Sequence, residues 1–473
     1  MQSMNKFFTD YEINSHKVKK IRDKYLLISD SGAWAALKQD EYVKLKSHML
    51  NKYLYESLEK KGIIITKNNF SEVADQYRKK NQHLFQGTSL HIVVVSVRCN
   101  QVCVYCHAAS KHSKKKLFDM SKQTAKKTIE FIFQSTSDAI TIEFQGGEPL
   151  LNFNIVKYMV NYANQLNKTY KKNLRFSIVT NLTLMDKKKL EFLEKNKVGI
   201  CTSLDGPEKI HNHNRKYLNK KGSYKKVVEW IKKIQKRKKI GLNALMVTTS
   251  YSLNFPEEIF NEYQRLRFNK IWIRYLNNLG FALDAWEKIS YSAEDYLTFW
   301  KKIVDMSQGK KNIVEIMSTY MLLKILTKTD PMYLDLMSPC GAAIGQLAYQ
   351  FNGDIYSCDE GRMLGEDVFK LGNVYENKYR EVLCSSKTCN LISASVNDNF
   401  LCNSCIYQPY CGLCPVNCYA ATGNILPRVP HETRCRILKG QFDYLFEKIL
   451  FDEAFQDLVK TKKLIIKNPF YLD

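Results

Sequence analysis

The chain has 473 residues, 45% of them hydrophobic and 25% charged, proportions ordinary for a soluble globular protein. That length exceeds one compact core and implies two or three domains. The N-terminus, "MQSMNKFFTDYEINSHKVKK", lacks the apolar core of a secretory signal, and the most apolar run, "LHIVVVSV", is far too short to span a bilayer. A cytoplasmic protein with no membrane partner is expected.

Residues 1–86 read as a small α+β, winged-helix-like module. "KYLLISDSGAWAAL" gives two short strands joined by the turn "SDSG", "KQDEYVKLKSHML" gives a helix, and "LYESLEKKGIIIT" gives a helix ending at Gly62 and then a strand. Residues 87–308 alternate strand and helix. The strands "LHIVVVSV", "AITIEF", "LRFSIVT", "VGICTSL", "IGLNALMVTT" and "KIWIRYL" are separated by helical stretches, the first with Ser121 at its N-cap. Apolar strands in repeated β-α units predict a parallel sheet covered by helices, an α/β fold of the open, partial (β/α)6 barrel type with its chemistry at the C-terminal strand ends. Cys99, "QGGEP", "TNLT" and "SLDGP" follow the first four strands in turn. A helical linker is expected at 309–339, an irregular, turn-rich, cysteine-rich domain at 340–440, and an amphipathic helix, "KGQFDYLFEKILFDEAF", with a tail at 441–473.

The formal net charge is +25, with the lysines scattered as in "SKHSKKKL" and "KKIQKRKKI". A solvated surface or an acidic partner explains that excess. No nucleic-acid motif or aromatic-interleaved basic stripe accompanies it, so nucleic acid is not the expected partner.

Fourteen cysteines are many for a reducing compartment, where clustered thiols bind metal more often than they form disulfides. Cys99, Cys103 and Cys106 are spaced C-x3-C-x2-C, ten more lie between Cys340 and Cys435, and Cys201 reads as a core thiol of the fourth strand. Four close thiolates would complete a tetrahedral zinc site. Three suit a 4Fe–4S cube with one iron left free for a non-protein ligand, the tight spacing letting one loop wrap three corners. The alternative is a three-cysteine zinc site completed by His107 or His112.

The triad, with Tyr105 just before its last cysteine, resembles the signature of the radical S-adenosylmethionine (SAM) superfamily, and "QGGEP" one β-α unit later resembles the second signature of that superfamily. The resemblance implies that the open iron takes the amino and carboxylate groups of SAM. It also implies that backbone groups of Gly146 and Gly147 pair with the methionine amine, that Glu148 and Pro149 shape that edge, and that Tyr105 packs near the adenine. Thr180 and Asn181 look like a ribose-contacting "TNG" segment in which Leu182 replaces the glycine. Ser203 and Arg215 would approach the SAM carboxylate, a guanidinium being suited to it by bidentate pairing; the alternative for Arg215 is a surface ion pair. The cluster's electron would cleave the sulfonium to a 5′-deoxyadenosyl radical that abstracts a substrate hydrogen.

The C-terminal cysteines resemble the SPASM extension of peptide-modifying radical SAM enzymes, which implies two auxiliary 4Fe–4S clusters. Cys402, Cys405, Cys411 and Cys435 would hold one. Cys340, Cys358 and either Cys414 or Cys418 would hold the other, with Cys384 or Cys389 as further candidates; two structural zinc sites are the alternative. Asp359 sits where sulfatase-maturating relatives have a general base, or is a plain loop aspartate.

From "GTSLHIVVVSVRCNQVCVYC" to "FDYLF", through "ITIEFQGGEPLLNF" and "PYCGLCPVNCYA", the chain is similar to the His-Xaa-Ser system radical SAM maturases. That implies a ribosomally made precursor peptide as substrate, a flavodoxin or ferredoxin as reductant, a paired second radical SAM protein, and an N-terminal module that docks a leader by sheet-edge addition. The expected function is radical crosslinking or oxidation of that peptide. The alternatives are a formylglycine-forming sulfatase-maturating enzyme, an RNA-modifying radical SAM protein, and an electron-transfer protein.

Overall fold

The computed structural model describes residues 10–112, 115–309, 313–327, 330–427 and 432–461. The start of the N-terminal module and most of the C-terminal tail lie outside the described residues.

The N-terminal module contains strands β1 (Glu12–Ile13), β2 (His16–Ile21), β3 (Lys24–Ser29), β4 (Trp34–Leu37) and β5 (Ile64–Ile65) and helices Gln39–Lys46, Lys52–Lys61 and Phe70–Asn81. Strands β2, β3 and β4 form an antiparallel sheet and β1 pairs with β5. Leu27, Leu37, Leu45, Leu58 and Ile63 make its core. Strand β2 and the third helix go beyond the sequence reading. "HKVKKI" carries too few apolar residues to announce a strand, and the helix Phe70–Asn81 has no fully buried residue. Strand β2 is held by antiparallel pairing with β3 along its whole length, and Lys19 and, just past it, Arg22 also pair with Asp443 and Glu447 of a C-terminal helix.

The central sheet uses β6 (Leu90–Ser96), β8 (Ala139–Gly146), β9 (Asn173–Thr180), β10 (Gly199–Ser203), β12 (Leu242–Val247) and β13 (Lys270–Arg274), all parallel and in sequential spatial order. Two short strands of the loops, β7 (Gln101–Cys103) and β11 (Arg215–Tyr217), pair with each other above it. These are the six strands of the expected partial barrel. In β8, Ile140, Ile142 and Phe144 are fully buried while Glu143 and Gln145, on the opposite face, are half-buried.

The sheet is larger than the repeat count implies. Strand β14 (Val314–Glu315) extends it beyond β13, and β15 (Gln346–Tyr349), β16 (Asp354–Tyr356) and β17 (Lys370–Asn373) extend it beyond β6. The cysteine-rich region is therefore not irregular throughout, as its composition suggests; a strand as short as β15 offers no periodicity to read. The last long helix starts at Thr433 rather than Lys439 and ends at Phe451, because Ile437, Leu438, Phe442, Leu445 and Phe446 form its buried stripe. No helix among the described residues is long and apolar enough to cross a membrane.

Strand β15 is joined to β6 by side chains as well as backbone. His91 Nδ1 is 2.8 Å from the Tyr349 hydroxyl and its Nε2 is 3.0 Å from the Thr88 carbonyl. Burial pushes the His91 pKa down to about 3. The unfolded chain, titrating near 6.5, then binds a proton there that the native state does not, so stability falls as pH drops through that value. Between pH 6.5 and 4.5 thermal unfolding should reveal a loss approaching ~1.4 kcal/mol per pH unit from this group. His91→Gln should be less stable at pH 7.5 and flatter across that range; an unchanged pH slope would exclude His91 as the cause.

Candidate active site

The loop after β6 carries the first three cysteines and is braced on every side. Arg98 clamps Asp119 through Nε at 2.8 Å and Nη2 at 2.6 Å, a buried bidentate pair. The Cys99 amide donates to the Lys111 carbonyl at 3.1 Å. Cys103 lies in β7, opposite Arg215 of β11. The Cys106 carbonyl accepts from the Phe281 amide at 2.9 Å. The sequence reading did not anticipate Gly280, whose φ is +56° and where a Cβ would stand 2.3 Å from the His107 carbonyl oxygen. Its only signal in the sequence is the glycine itself.

Gly146 and Gly147 press against the same loop. A Cβ on Gly146, at φ +138°, would lie 2.0 Å from the Ser96 carbonyl oxygen, and one on Gly147 would lie 2.3 Å from that of Arg98. The Gly147 amide donates to Ser96 at 2.9 Å and the Glu148 amide to Arg98 at 2.8 Å. Glu148 then turns away: its carboxylate accepts from the Leu150 amide, the Thr180 hydroxyl at 2.6 Å and the Asn181 amide at 2.8 Å. It is fully buried, and burial raises its pKa to about 7 against those donors. Pro149, also buried, opens the turn behind it. Glu148 and Pro149 thus stand behind the glycine edge and tie β8 to β9.

Leu182, in the position where a glycine was expected, keeps a left-handed backbone at φ +58° and is buried. Its amide donates to the Thr180 hydroxyl at 3.1 Å. The turn is preserved at a strain of roughly 1–3 kcal/mol, and Asn181 reaches toward Cys99 Sγ at 3.9 Å.

Tyr105 and Arg215 meet on Asp205, the aspartate of "SLDGP", which motif reading passed over. Asp205 accepts from the Tyr105 hydroxyl at 2.5 Å and from Arg215 Nε at 3.0 Å. The Arg215 guanidinium lies 5.1 Å from the Tyr105 ring centre and its Nη1 is 3.8 Å from Cys103 Sγ. Arg215 is 8% exposed, so its ion pair is buried, not on the surface.

These pieces enclose a cavity of about 170 Å³. Its wall includes Cys99, Cys103 and Cys106, Tyr105, Gly146 and Gly147, and also Thr180, Asn181, Ser203 and Arg215. His107 also faces it, its buried Nε2 without a partner among the described residues and its pKa pushed down to about 4 by burial. His112 instead lies near the Phe281 ring. Among the described residues no three His, Cys, Asp or Glu side chains converge as ligands of one ion. Three thiols on one cavity wall are the donor set that a 4Fe–4S cube with a free iron takes.

Residues 93–266 match the radical SAM superfamily. They form a radical SAM domain, and the chain is a radical SAM enzyme. It is 29% identical over 374 residues to a cysteine-type anaerobic sulfatase-maturating enzyme of Clostridium novyi, an alignment covering 77% of this chain and 95% of that one. Among solved structures, anSMEcpe with bound AdoMet superposes with a TM-score of 0.66 at 21% identity, over 80% of this chain and all of that one. Streptococcus suis SuiB bound to its precursor peptide SuiA gives 0.53 at 16% identity, over 86% and 96%. A radical SAM domain implies a 4Fe–4S cluster and SAM.

In this radical SAM enzyme most of the remaining thiols gather in two groups. Cys402, Cys405, Cys411 and Cys435 line a cavity of about 50 Å³, together with Cys414. Cys414 also adjoins the second group. Burial first, then the charge of Cys414, pushes the Cys340 thiol up to about 12, and Cys414 acts likewise on Cys358. Cys418 is also buried, its Sγ 3.5 Å from the Glu432 carboxylate. Cys384 and Cys389 are exposed. Asp359 follows Cys358 at the start of the helix Asp359–Leu364, whose Met363 reaches the SAM-domain cavity. Its Oδ1 is 2.8 Å from Arg362 Nε and 2.7 Å from Arg362 Nη2.

Gly147→Ala should cost roughly 1–3 kcal/mol, because the carbonyls it would strike belong to backbone that has nowhere to retreat. Equilibrium binding of SAM should weaken by about tenfold or more, ~1.4 kcal/mol. Unchanged affinity in a folded variant would remove the glycine edge from the site. Replacing Cys99, Cys103 and Cys106 by Ala should abolish 5′-deoxyadenosine formation under strong reductant.

Proposed function

We propose that this radical SAM enzyme oxidises a side chain of a polypeptide substrate, and that the reaction is of the sulfatase-maturating kind, converting a Cys or Ser to formylglycine. The observation that carries the reading is the shared cavity: three thiols and the two-glycine edge face it, and the helix that begins at Asp359 leans over it through Met363. Similarity to the Clostridium enzyme over most of both chains supports the choice of reaction.

Held by Cys99, Cys103 and Cys106, the cluster would, with SAM bound, supply a 5′-deoxyadenosyl radical. Gly146 and Gly147 would pair with the methionine amine, Tyr105 would pack near the adenine, and Thr180 and Asn181 would take the ribose. Ser203 and Arg215 would meet the carboxylate, with Arg215 oriented from behind by Asp205. Asp359 would receive the proton lost as the substrate is oxidised. Its pairing with Arg362 aims the carboxylate. Auxiliary clusters would be held by Cys402, Cys405, Cys411 and Cys435, and by Cys340, Cys358 and Cys414. Cys414 is preferred to Cys418, whose thiol turns to Glu432.

A specific observation favours a second reading, a precursor peptide crosslinked or oxidised after docking on the N-terminal module. Strand β4 has no further strand beside it among the described residues. A cleft of about 550 Å³ runs from Trp34 past Lys60, Lys61, Lys80 and Lys324. An acidic leader segment suits that edge. A flavodoxin or ferredoxin would supply electrons, and a second radical SAM protein is a candidate partner.

Anaerobic reconstitution with sulfatase-derived Cys and Ser peptides, and with small peptides encoded beside the gene, separates the readings. An aldehyde captured by a hydrazide reagent on the Cys or Ser peptides is expected. Loss of two hydrogens without an aldehyde, on a neighbouring peptide alone, would favour crosslinking. Asp359→Asn should still form 5′-deoxyadenosine while product falls by about 10²-fold or more; undiminished product would remove Asp359 as the base.

A further inference from the structure

Arg434 occupies the seam between the two groups of C-terminal thiols. It stands one residue before Cys435, in the first turn of the helix Thr433–Phe451. Its Nη1 donates to the Tyr275 hydroxyl at 2.6 Å and its Nη2 to the Asp335 carbonyl at 2.9 Å, with Asp335 Oδ1 3.8 Å away. Asp335 is shared with Arg274 at 2.6 Å, and Arg274 reaches Glu360, two residues beyond Cys358, at 3.4 Å. The guanidinium is therefore held rigidly by its two outer nitrogens.

The inner nitrogen is different. Arg434 Nε is buried and has no acceptor among the described residues. Arg434 lines the cavity shared by Cys402, Cys405, Cys411, Cys414 and Cys435. Its charge also acts on Cys340 and on Cys411, and so on members of both groups. A buried N–H donor is satisfied in nearly every folded protein, so an orphan facing a thiol-lined cavity points to an acceptor that belongs there.

We propose that Arg434 Nε–H donates to the sulfur of the iron–sulfur group held by Cys402, Cys405, Cys411 and Cys435, and that its fixed cation raises the reduction potential of both auxiliary centres. This rests on the reading of those thiols as cluster ligands. One-electron reduction adds one negative charge to a buried group and makes or breaks no bond, so a fixed positive charge and an N–H donor favour the reduced form. Arginine suits the place because two nitrogens can be anchored while the third remains free, and because it cannot lose its proton.

The test is an EPR-monitored redox titration of the full-length, anaerobically reconstituted enzyme, with iron and sulfide measured on the same samples. Poised at the wild-type auxiliary midpoint with dithionite and mediators, Arg434→Gln should show a reduced-to-oxidised ratio about tenfold lower, ~59 mV for a one-electron couple. The SAM-responsive centre should not move. Arg434→Lys, which keeps the charge and loses Nε, should fall between. Asp335→Asn, which removes the counter-charge and leaves Arg434, should shift the ratio the other way, and it decides the matter if Arg434→Gln fails to retain iron. Iron for three cubes with unmoved auxiliary potentials in these variants would overturn the role of Arg434 alone. Iron for one cube in the wild type would overturn it together with the auxiliary-cluster reading.

Discussion

The site depends on one close approach: the backbone of Gly146 and Gly147 lies against the carbonyls of Ser96 and Arg98. Strands β6 and β8 are parallel neighbours, so their C-terminal ends emerge side by side, and the register shifts at Val94 and Ser96 as the chain leaves the sheet. Only residues without a Cβ allow the two loops to touch there. The contact places the thiol loop and the glycine edge on one cavity wall. Glu148, facing backward, locks the ends of β8 and β9 together beneath it.

Around that contact the enzyme buries charge in pairs. Asp205 holds Tyr105 and Arg215 over Cys103 on one side. Asp335 holds Arg274 and Arg434 between the barrel and the C-terminal thiols on the other. Buried ion pairs contribute little net stability, since desolvation offsets their attraction, but breaking one leaves an uncompensated charge. Their use here is orientation: Asp205 fixes a guanidinium whose Nη1 lies 3.8 Å from Cys103 Sγ, and Asp335 fixes one that lines the C-terminal thiol cavity. The same arrangement joins chemistry to architecture, because Arg274 ends β13 and Glu360 lies in the helix after Cys358.

The cysteine-rich region is built into the barrel rather than appended to it. Strand β15 continues the central sheet beside β6, and the helix carrying Cys435 packs back through the N-terminal module at Lys19 and Arg22. Trp34 of that module donates to the Ile325 carbonyl at 2.7 Å, and the Tyr410 hydroxyl donates to the Gly32 carbonyl at 2.7 Å. A segment bound at the N-terminal cleft therefore touches the same framework that positions the thiols.

By itself the sequence determined what is local and periodic. The six apolar strands and their helices were legible from alternation, and the radical SAM chemistry from C-x3-C-x2-C and "QGGEP", because ligand spacing on one loop is a property of the chain alone. Strands β2 and β15 were not legible; a lysine-rich strand and a four-residue strand carry no period, and β15 exists because β6, distant in sequence, pairs with it. Asp205 lay in a quoted motif, yet its role appears only when Tyr105 and Arg215 fold onto it from opposite directions in the chain. Cys414 and Cys418 have equal claims by spacing, and what distinguishes their surroundings is tertiary: Cys418 lies 3.5 Å from the Glu432 carboxylate, while the charge of Cys414 acts on Cys340 and Cys358. Tertiary structure decides such questions because a side chain's partner is set by where separate strands end in space, a distance that no count of intervening residues encodes.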